Sequence, residues 1–326
     1  MSGSPSASVR HVADGALLVE FEGASDEEAN AAAVRLAEAL AGPGFGPGFG
    51  FAGLFDAIPG ARTLFCSFDP LVLPHDELAR RIAAAPPADT AAAKRPPREH
   101  RVPVRYGGAA GPDLAEIASR AGLSPEQAAR LHADATYRVA FLGFAPGFAY
   151  MTGLPEVLHA PRRATPRPRV RAGSLAIAGP YAGVYPSDGP GGWNLIGEAG
   201  ARLFDPHRDP PALFAPGDLV RFAEAAPGEI ERALESGAEG SRAPLRTAED
   251  VALEVIAPGL WSSVCGAPRA GNASFGAPPG GAMDLESLAL GNEAVGNPRS
   301  VAALEMAVAG PELLARAACL AVLSGA

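Results

Sequence analysis

Arg162, Arg163, Arg167, Arg169 and Arg171 fall within ten residues, on a segment stiffened by Pro161, Pro166 and Pro168. A guanidinium presents a planar fork of N–H donors that pairs bidentately with carboxylate or phosphate, and a stiff backbone lowers the cost of presenting it. The cluster is therefore either an anion trap or a solvated arginine loop meeting acidic neighbours. Downstream, Tyr185-Pro-Ser-Asp-Gly-Pro-Gly-Gly-Trp-Asn-Leu-Ile-Gly197 gathers Gly189, Gly191 and Gly192 ahead of Trp193, with Ser187, Asp188 and Asn194 as polar groups. Glycine removes the Cβ and lets amides converge on an anion or on another chain segment, so this stretch is a ligand loop or a structural turn. Phe144-Ala-Pro-Gly-Phe148, with Pro146 and Gly147 at its turn and Tyr150 beyond, assembles three aromatics as a packed corner or a pocket wall. A similar Gly/Pro cluster, Pro278-Pro-Gly-Gly-Ala-Met-Asp284, recurs near the C-terminus.

Other chemistries are excluded. There is no GxSxG nucleophile elbow, and the six histidines are too dispersed for HExxH or a paired metal site. Only His132 stands out, as a satisfied histidine at a helix end leading toward the aromatic corner. The glycine-rich Gly42–Phe51 stretch fits neither GxxxxGK(S/T) nor GxGxxG and reads as a loop with Phe anchors. Three cysteines without CxxC spacing indicate neither disulfides nor zinc, and Cys66 and Cys319, inside apolar runs, are expected as small core residues. A net charge of −9 gives no bias toward nucleic acid or anionic membrane. Without a signal peptide or an eighteen-residue apolar run, a cytoplasmic protein with no membrane or nucleic-acid partner is expected.

The elements that must position these residues follow from periodicity and punctuation. With 39 glycines and 33 prolines in 326 residues, short strands joined by tight turns are favoured over long helices. Residues 1–97 read as an α+β domain with a linker. Ala16–Phe21 is a buried strand, and Ser25-Asp-Glu-Glu28 is a capping box opening a helix with Ala33, Leu36, Ala37 and Leu40 on one face. Strands over 51–58 and 62–68 and a helix over 75–84 complete the β-α-β-β-α order of a ferredoxin-like domain. Ala84–Pro97 reads as a linker. Residues 98–225 read as a mainly-β barrel: a half-buried strand through Val102, Val104 and Tyr106, a capped helix from Ser124-Pro-Glu-Gln127, then short apolar runs separated by Gly and Pro. Residues 226–250 read as a second linker with a short helix at 229–234, and 251–326 as a partial third module ending in a strand at Cys319-Leu-Ala-Val-Leu323.

The order of motifs matches a known family. Tyr137–Tyr150, Pro166–Gly179, Gly183-Val-Tyr-Pro186, Pro190–Gly197 and Leu203-Phe-Asp205 resemble the allophanate hydrolase subunit 1 family, which includes the B-type component of bacterial 5-oxoprolinase and the kinase inhibitor KipI; the resemblance spans about residues 10–225. From Leu253, the segments Pro258-Gly-Leu260, Ser274-Phe-Gly276, Pro279–Asp284, Gly296-Asn-Pro298 and Ala303-Leu-Glu305 resemble the start of subunit 2, the C-type component of 5-oxoprolinase. The chain thus looks like a B–C fusion. It departs from the second type at Ser263-Val-Cys-Gly-Ala-Pro-Arg269, where members usually carry Thr-Val-Gln-Asp-x-Gly-Arg.

The resemblance implies a ferredoxin-like domain, a cyclophilin-like barrel and the opening of a second cyclophilin-like unit. It also implies ATP-dependent opening of 5-oxoproline to glutamate through a phosphorylated amide, using ATP with Mg2+. An A-type subunit is expected as partner, with a complete C-type subunit as a further one, and no turnover is expected without them. On this expectation Arg167, Arg169 and Arg171 hold phosphate or the substrate carboxylate, the amides of Gly189, Gly191 and Gly192 line the site, and Asp284 or Glu305 assists metal or water. Phe144, Pro146, Gly147, Tyr185, Ser187, Trp193 and Asn194 complete the binding residues, and no metal is held by protein side chains alone. The alternatives are a KipI-like module inhibiting a sensor histidine kinase, and an allophanate or urea amidolyase-type carboxyltransferase component. Fusion to a C-type module favours the enzyme, and no biotin-carboxylase or biotinyl segment supports the amidolyase.

Overall fold

The computed structural model describes residues 6–23, 25–41, 52–85, 96–236 and 253–325. The chain forms two compact units, one of residues 1–241 with 271–277, the other of residues 242–270 with 278–326.

The first unit opens with a hairpin of β1 (Ser6–Ala13) and β2 (Ala16–Glu22), followed by α1 (Asp26–Ala41), β3 (Leu54–Pro59), β4 (Thr63–Phe68) and α2 (His75–Ala84). The antiparallel sheet has the order β1-β2-β4-β3. The predicted capping box starts α1: Ser25 Oγ accepts from the Glu28 N–H at 3.2 Å, and the Glu28 carboxylate accepts from the Ser25 N–H at 3.0 Å. Ala33, Ala37 and Leu40 of its apolar face are buried with Leu17, Val19, Leu64 and Cys66. Burial pushes the Cys66 thiol up to about 12, so it behaves as an inert core residue, as expected. The expected β-α-β-β-α order appears as β2-α1-β3-β4-α2. An additional edge strand, β1, precedes it; every residue of β1 is exposed, so it carries no apolar alternation to announce it. The Gly42–Phe51 loop and most of the 84–97 linker lie outside the described residues.

The remainder of the unit is a closed barrel. Its elements are β5 (Glu99–Tyr106), α3 (Leu114–Arg120), α4 (Pro125–Asp134), β6 (Tyr137–Leu142), β7 (Ala149–Thr152), β8 (Arg167–Val170), β9 (Ser174–Ala178), β10 (Tyr181–Val184), β11 (Gly189–Gly191), β12 (Asn194–Ala199), β13 (Leu219–Glu224) and α5 (Glu229–Ser236). Seven strands close in the order β10-β7-β6-β13-β5-β12-β9, with β5 and β13 the parallel pair, while β8 and β11 form a separate ribbon. Val102, Val104, Val139, Met151, Leu175, Ile177, Val220 and Phe222 fill the interior. The predicted Ser124 capping box starts α4. In its last turn His132 is fully buried, its Nδ1 2.8 Å from the Tyr106 hydroxyl. The stretch read as a second linker begins with α5, which buries Ile230 and pairs Glu229 with Arg101 and Glu231 with Arg105.

The second unit contains β14 (Leu253–Ala257), β15 (Trp261–Cys265), α6 (Leu285–Ala294), β16 (Ala303–Ala307) and β17 (Glu312–Ala315). β14 pairs with β17 and β15 with β16. Two expectations are corrected here. Cys319 is exposed rather than a core residue, and Cys319–Leu323 forms no strand, because among the described residues no neighbouring strand shares a hydrogen-bond ladder with it. Among the described residues no helix is long and apolar enough to cross a membrane.

Candidate anion-binding site

The arginine segment and the tryptophan turn are adjacent strands of one ribbon. β8 pairs antiparallel with β11, with Gly191 opposite Arg167 and Gly189 opposite Val170. The ribbon is fastened further by the Arg163 N–H donating to the Gly192 carbonyl at 2.8 Å, and by the Asn194 amide donating to the carbonyls of Pro161 (2.9 Å) and Ile177 (3.3 Å). Gly191 must be glycine, since a Cβ there would run into the Tyr185 ring. The Tyr185 hydroxyl in turn accepts the Trp193 N–H.

Asp113 is the hub beneath this ribbon. Its buried Oδ1 accepts from Arg163 Nη1 at 2.9 Å and Arg167 Nη2 at 2.8 Å, and Oδ2 accepts the Leu195 N–H at 2.7 Å. Two guanidiniums on one carboxylate leave one positive charge in excess. Arg163 Nε and Arg167 Nη1 are buried without a hydrogen-bond partner among the described residues. A buried unsatisfied donor costs about 1–3 kcal/mol, more when charged, and an anion would recover it. Sequence reasoning missed Asp113. It occupies the N-cap position of α3 but makes no cap hydrogen bond, because its oxygens are committed to the arginines and Leu195.

The other arginines behave differently. Arg169 donates to Asp188 through Nε (3.1 Å) and Nη2 (2.6 Å), with its side chain 78% exposed. Asp188 also accepts the Ala172 N–H at 2.9 Å; that amide and Arg169 hold its carboxyl below the usual carboxylate range. Arg171 and Ser187 are exposed. The structure therefore brings Arg167 together with Gly191, Gly192, Trp193 and Asn194, and leaves Arg169, Arg171 and Ser187 at the surface.

An aromatic wall adjoins the ribbon. Phe148 meets Tyr185, Trp193 and Tyr150 edge to face with ring centroids 5.5, 5.3 and 5.1 Å apart. Phe144 packs on Phe148 at 5.3 Å yet remains 64% exposed, and its φ of 70° is in the left-handed region, a strain of about 1–3 kcal/mol for a non-glycine residue. Burial raises the Tyr150 and Tyr185 hydroxyls above their ordinary value, while Arg162, which hydrogen-bonds Tyr150, pulls both down. Both phenols are therefore neutral donors near pH 7. Pro146 is half-buried, and the buried Gly147 donates its N–H to the Phe275 carbonyl at 2.8 Å.

Asp284 and Glu305 lie in the second unit. Asp284 caps α6, accepting from Ser287 N–H at 2.9 Å and Ser287 Oγ at 2.6 Å, contacts that hold its carboxyl below the ordinary range. Glu305 accepts the Met283 N–H at 2.7 Å. Among the described residues no group of three or more His, Cys, Asp or Glu side chains could hold a metal ion.

Residues 7–214 match the family described as carboxyltransferase domain, subdomain C and D. The chain belongs to that family. Residues 275–326 match carboxyltransferase domain, subdomain A and B, a partial second module. Among curated proteins, the B-type component of 5-oxoprolinase from Escherichia coli O157:H7 is 57% identical over 127 residues, 39% of this chain and 58% of that protein. Its namesake from Bacillus subtilis (strain 168) is 49% identical over 121 residues, 37% of this chain and 50% of that one. The chain thus spans about half the length of the curated relatives it matches. Among solved structures, TTHA0988 is 37% identical with a TM-score of 0.71, covering 94% of this chain and 58% of that one, so both units have counterparts in a single chain. The K. lactis urea amidolyase, 19% identical with a TM-score of 0.56 over 73% of this chain and 16% of that one, shares the fold.

Proposed function

We propose that this chain is a component of an ATP-dependent 5-oxoprolinase and that the arginine ribbon with its aromatic wall binds the anionic substrate. The observation that carries this reading is the pair of buried, unpartnered guanidinium N–H groups on Arg163 and Arg167 beside a neutral aromatic surface. 5-Oxoproline is a flat five-membered lactam bearing one carboxylate, so it asks for an oxyanion site next to an apolar wall. Arg163 and Arg167, pre-oriented by Asp113, take the oxyanion; the exposed Phe144, seated on the buried Phe148, covers the ring and excludes water. The relatives named as B-type components of 5-oxoprolinase supply the reaction class.

An amide resists hydrolysis, and bound ATP would supply the phosphoryl group that makes the lactam carbon a better electrophile toward water, so that the ring nitrogen can depart. The orphaned guanidinium donors suit a single oxyanion, a carboxylate or one phosphate, rather than a triphosphate. Among the described residues no group of three or more His, Cys, Asp or Glu could hold a metal ion, so Mg2+ would enter with the nucleotide phosphates. An A-type partner, with a complete C-type subunit, then furnishes the rest of the nucleotide site, in a cytoplasmic complex. Reconstitution tests this: the chain with both partners should hydrolyse ATP only when 5-oxoproline is present. Failure of every combination, together with stoichiometric inhibition of a sensor histidine kinase, would replace the enzyme with a KipI-like binding module.

A further inference from the structure

Seven residues, Gly271–Ala277, pack as part of the first unit although their flanking residues, Ala270 and Pro278, belong to the second. They are held as a bound peptide is held. The buried Asp56 on β3 accepts the backbone N–H groups of Gly271 (3.2 Å) and Ala273 (3.1 Å), and a third from Ser274. One carboxylate thus gathers the amides that open the 3-10 turn Ala273–Phe275, groups that would otherwise be orphaned. Phe275, 6% exposed, joins the barrel's core cluster, and its carbonyl accepts the Gly147 N–H at 2.8 Å. Gly276 has a φ of 76°, and a Cβ there would lie 2.7 Å from the Ala145 carbonyl oxygen. Backbone packs on backbone at that point, and only glycine allows it. The segment therefore rests on the sheet through Asp56 and on the barrel through the Ala145–Gly147 corner. It also straddles residue 275, where the subdomain A and B match begins.

We propose that Asp56 and the Ala145–Gly147 corner form a docking surface for the Asn-Ala-Ser-Phe-Gly segment of a C-type module, and that Gly271–Ala277 is the latch fastening the second module to the first. The partner this surface fits is a chain segment of small residues with one phenylalanine anchor and a glycine directly after it. Because the latch grips Gly147, it also ties the presence of a C-type module to the corner carrying Phe144.

The test uses the full chain with a protease site inserted between Glu239 and Gly240, cleaved after folding. The nicked wild-type halves should stay together in gel filtration. Truncating a buried phenylalanine costs enough to weaken their association about a hundredfold, so Phe275→Ala should separate them at concentrations where the wild type does not. Gly276→Val should act likewise through the backbone clash, and Asp56→Asn, which leaves the latch sequence intact, should weaken association about tenfold. Met283→Ala, at an exposed residue of the second unit, should change nothing. Wild-type halves that part freely, or variants that associate as tightly as the wild type with unchanged circular dichroism, would overturn the latch.

Discussion

Asp113 holds Arg163 and Arg167 while Asp188 holds Arg169, and the difference is measurable. Arg169 is spent on an exposed, solvent-screened pair with Asp188, so Arg169→Ala should alter 5-oxoproline-dependent turnover by less than about threefold. Arg167→Ala removes one of the two guanidiniums on Asp113 and should raise KM for 5-oxoproline about ten- to a hundredfold, as loss of a charged hydrogen bond does. His132 makes folding depend on pH. Burial pushes its pKa down from 6.5 to about 3, with the Tyr106 hydroxyl from β5, the Tyr137 ring from β6 and the Phe222 ring from β13 around it. Between those two values the unfolded chain binds a proton that the folded chain refuses. The contribution of His132 is thus complete above pH 6.5 and is lost as pH falls, at up to about 1.4 kcal/mol per pH unit. His132→Gln should flatten the fall of the unfolding free energy between pH 6.5 and 4 relative to wild type, as read by urea titration; equal slopes would contradict the buried neutral imidazole.

At the scale of elements, the ribbon of β8 and β11 turns a list of motifs into a site. Its constituents were legible in the sequence: proline-spaced arginines, glycines before a tryptophan, and aromatics about a Pro-Gly turn. Their adjacency was not, because residues such as Arg167 and Gly191 become neighbours only through strand register. Asp113 was hidden for the same reason: it sits fifty residues before Arg163, in a position that reads as an ordinary helix start. The sequence disclosed α1 and α4 with their capping boxes and α2 without one, whereas β1 and α3 escaped, the first for want of a buried face and the second for being seven residues long. The ribbon's tolerance can be tested at Gly191. Gly191→Val should displace the Tyr185 ring and destabilise the fold by about 1–3 kcal/mol in thermal unfolding, while Gly189→Ala, where a Cβ meets nothing within 4 Å, should be tolerated.

At the scale of the molecule, ordered motifs over residues 10–225 disclosed the family, because they fix chain positions that composition cannot. What composition and spacing could not disclose is that Gly271–Ala277 packs with the first unit, since Phe275 sits in a stretch that otherwise reads as the start of another module. The proposed function requires Arg163 and Arg167 to grip the oxyanion of a 5-oxoprolinase substrate. Its most direct measurement is 5-oxoproline-dependent ATP hydrolysis by the chain reconstituted with A-type and C-type subunits, comparing wild type with Arg163→Ala/Arg167→Ala. The double variant should still assemble with its partners and lose at least about a hundredfold in kcat/KM. An assembled double variant that turns over 5-oxoproline as the wild type does would contradict it.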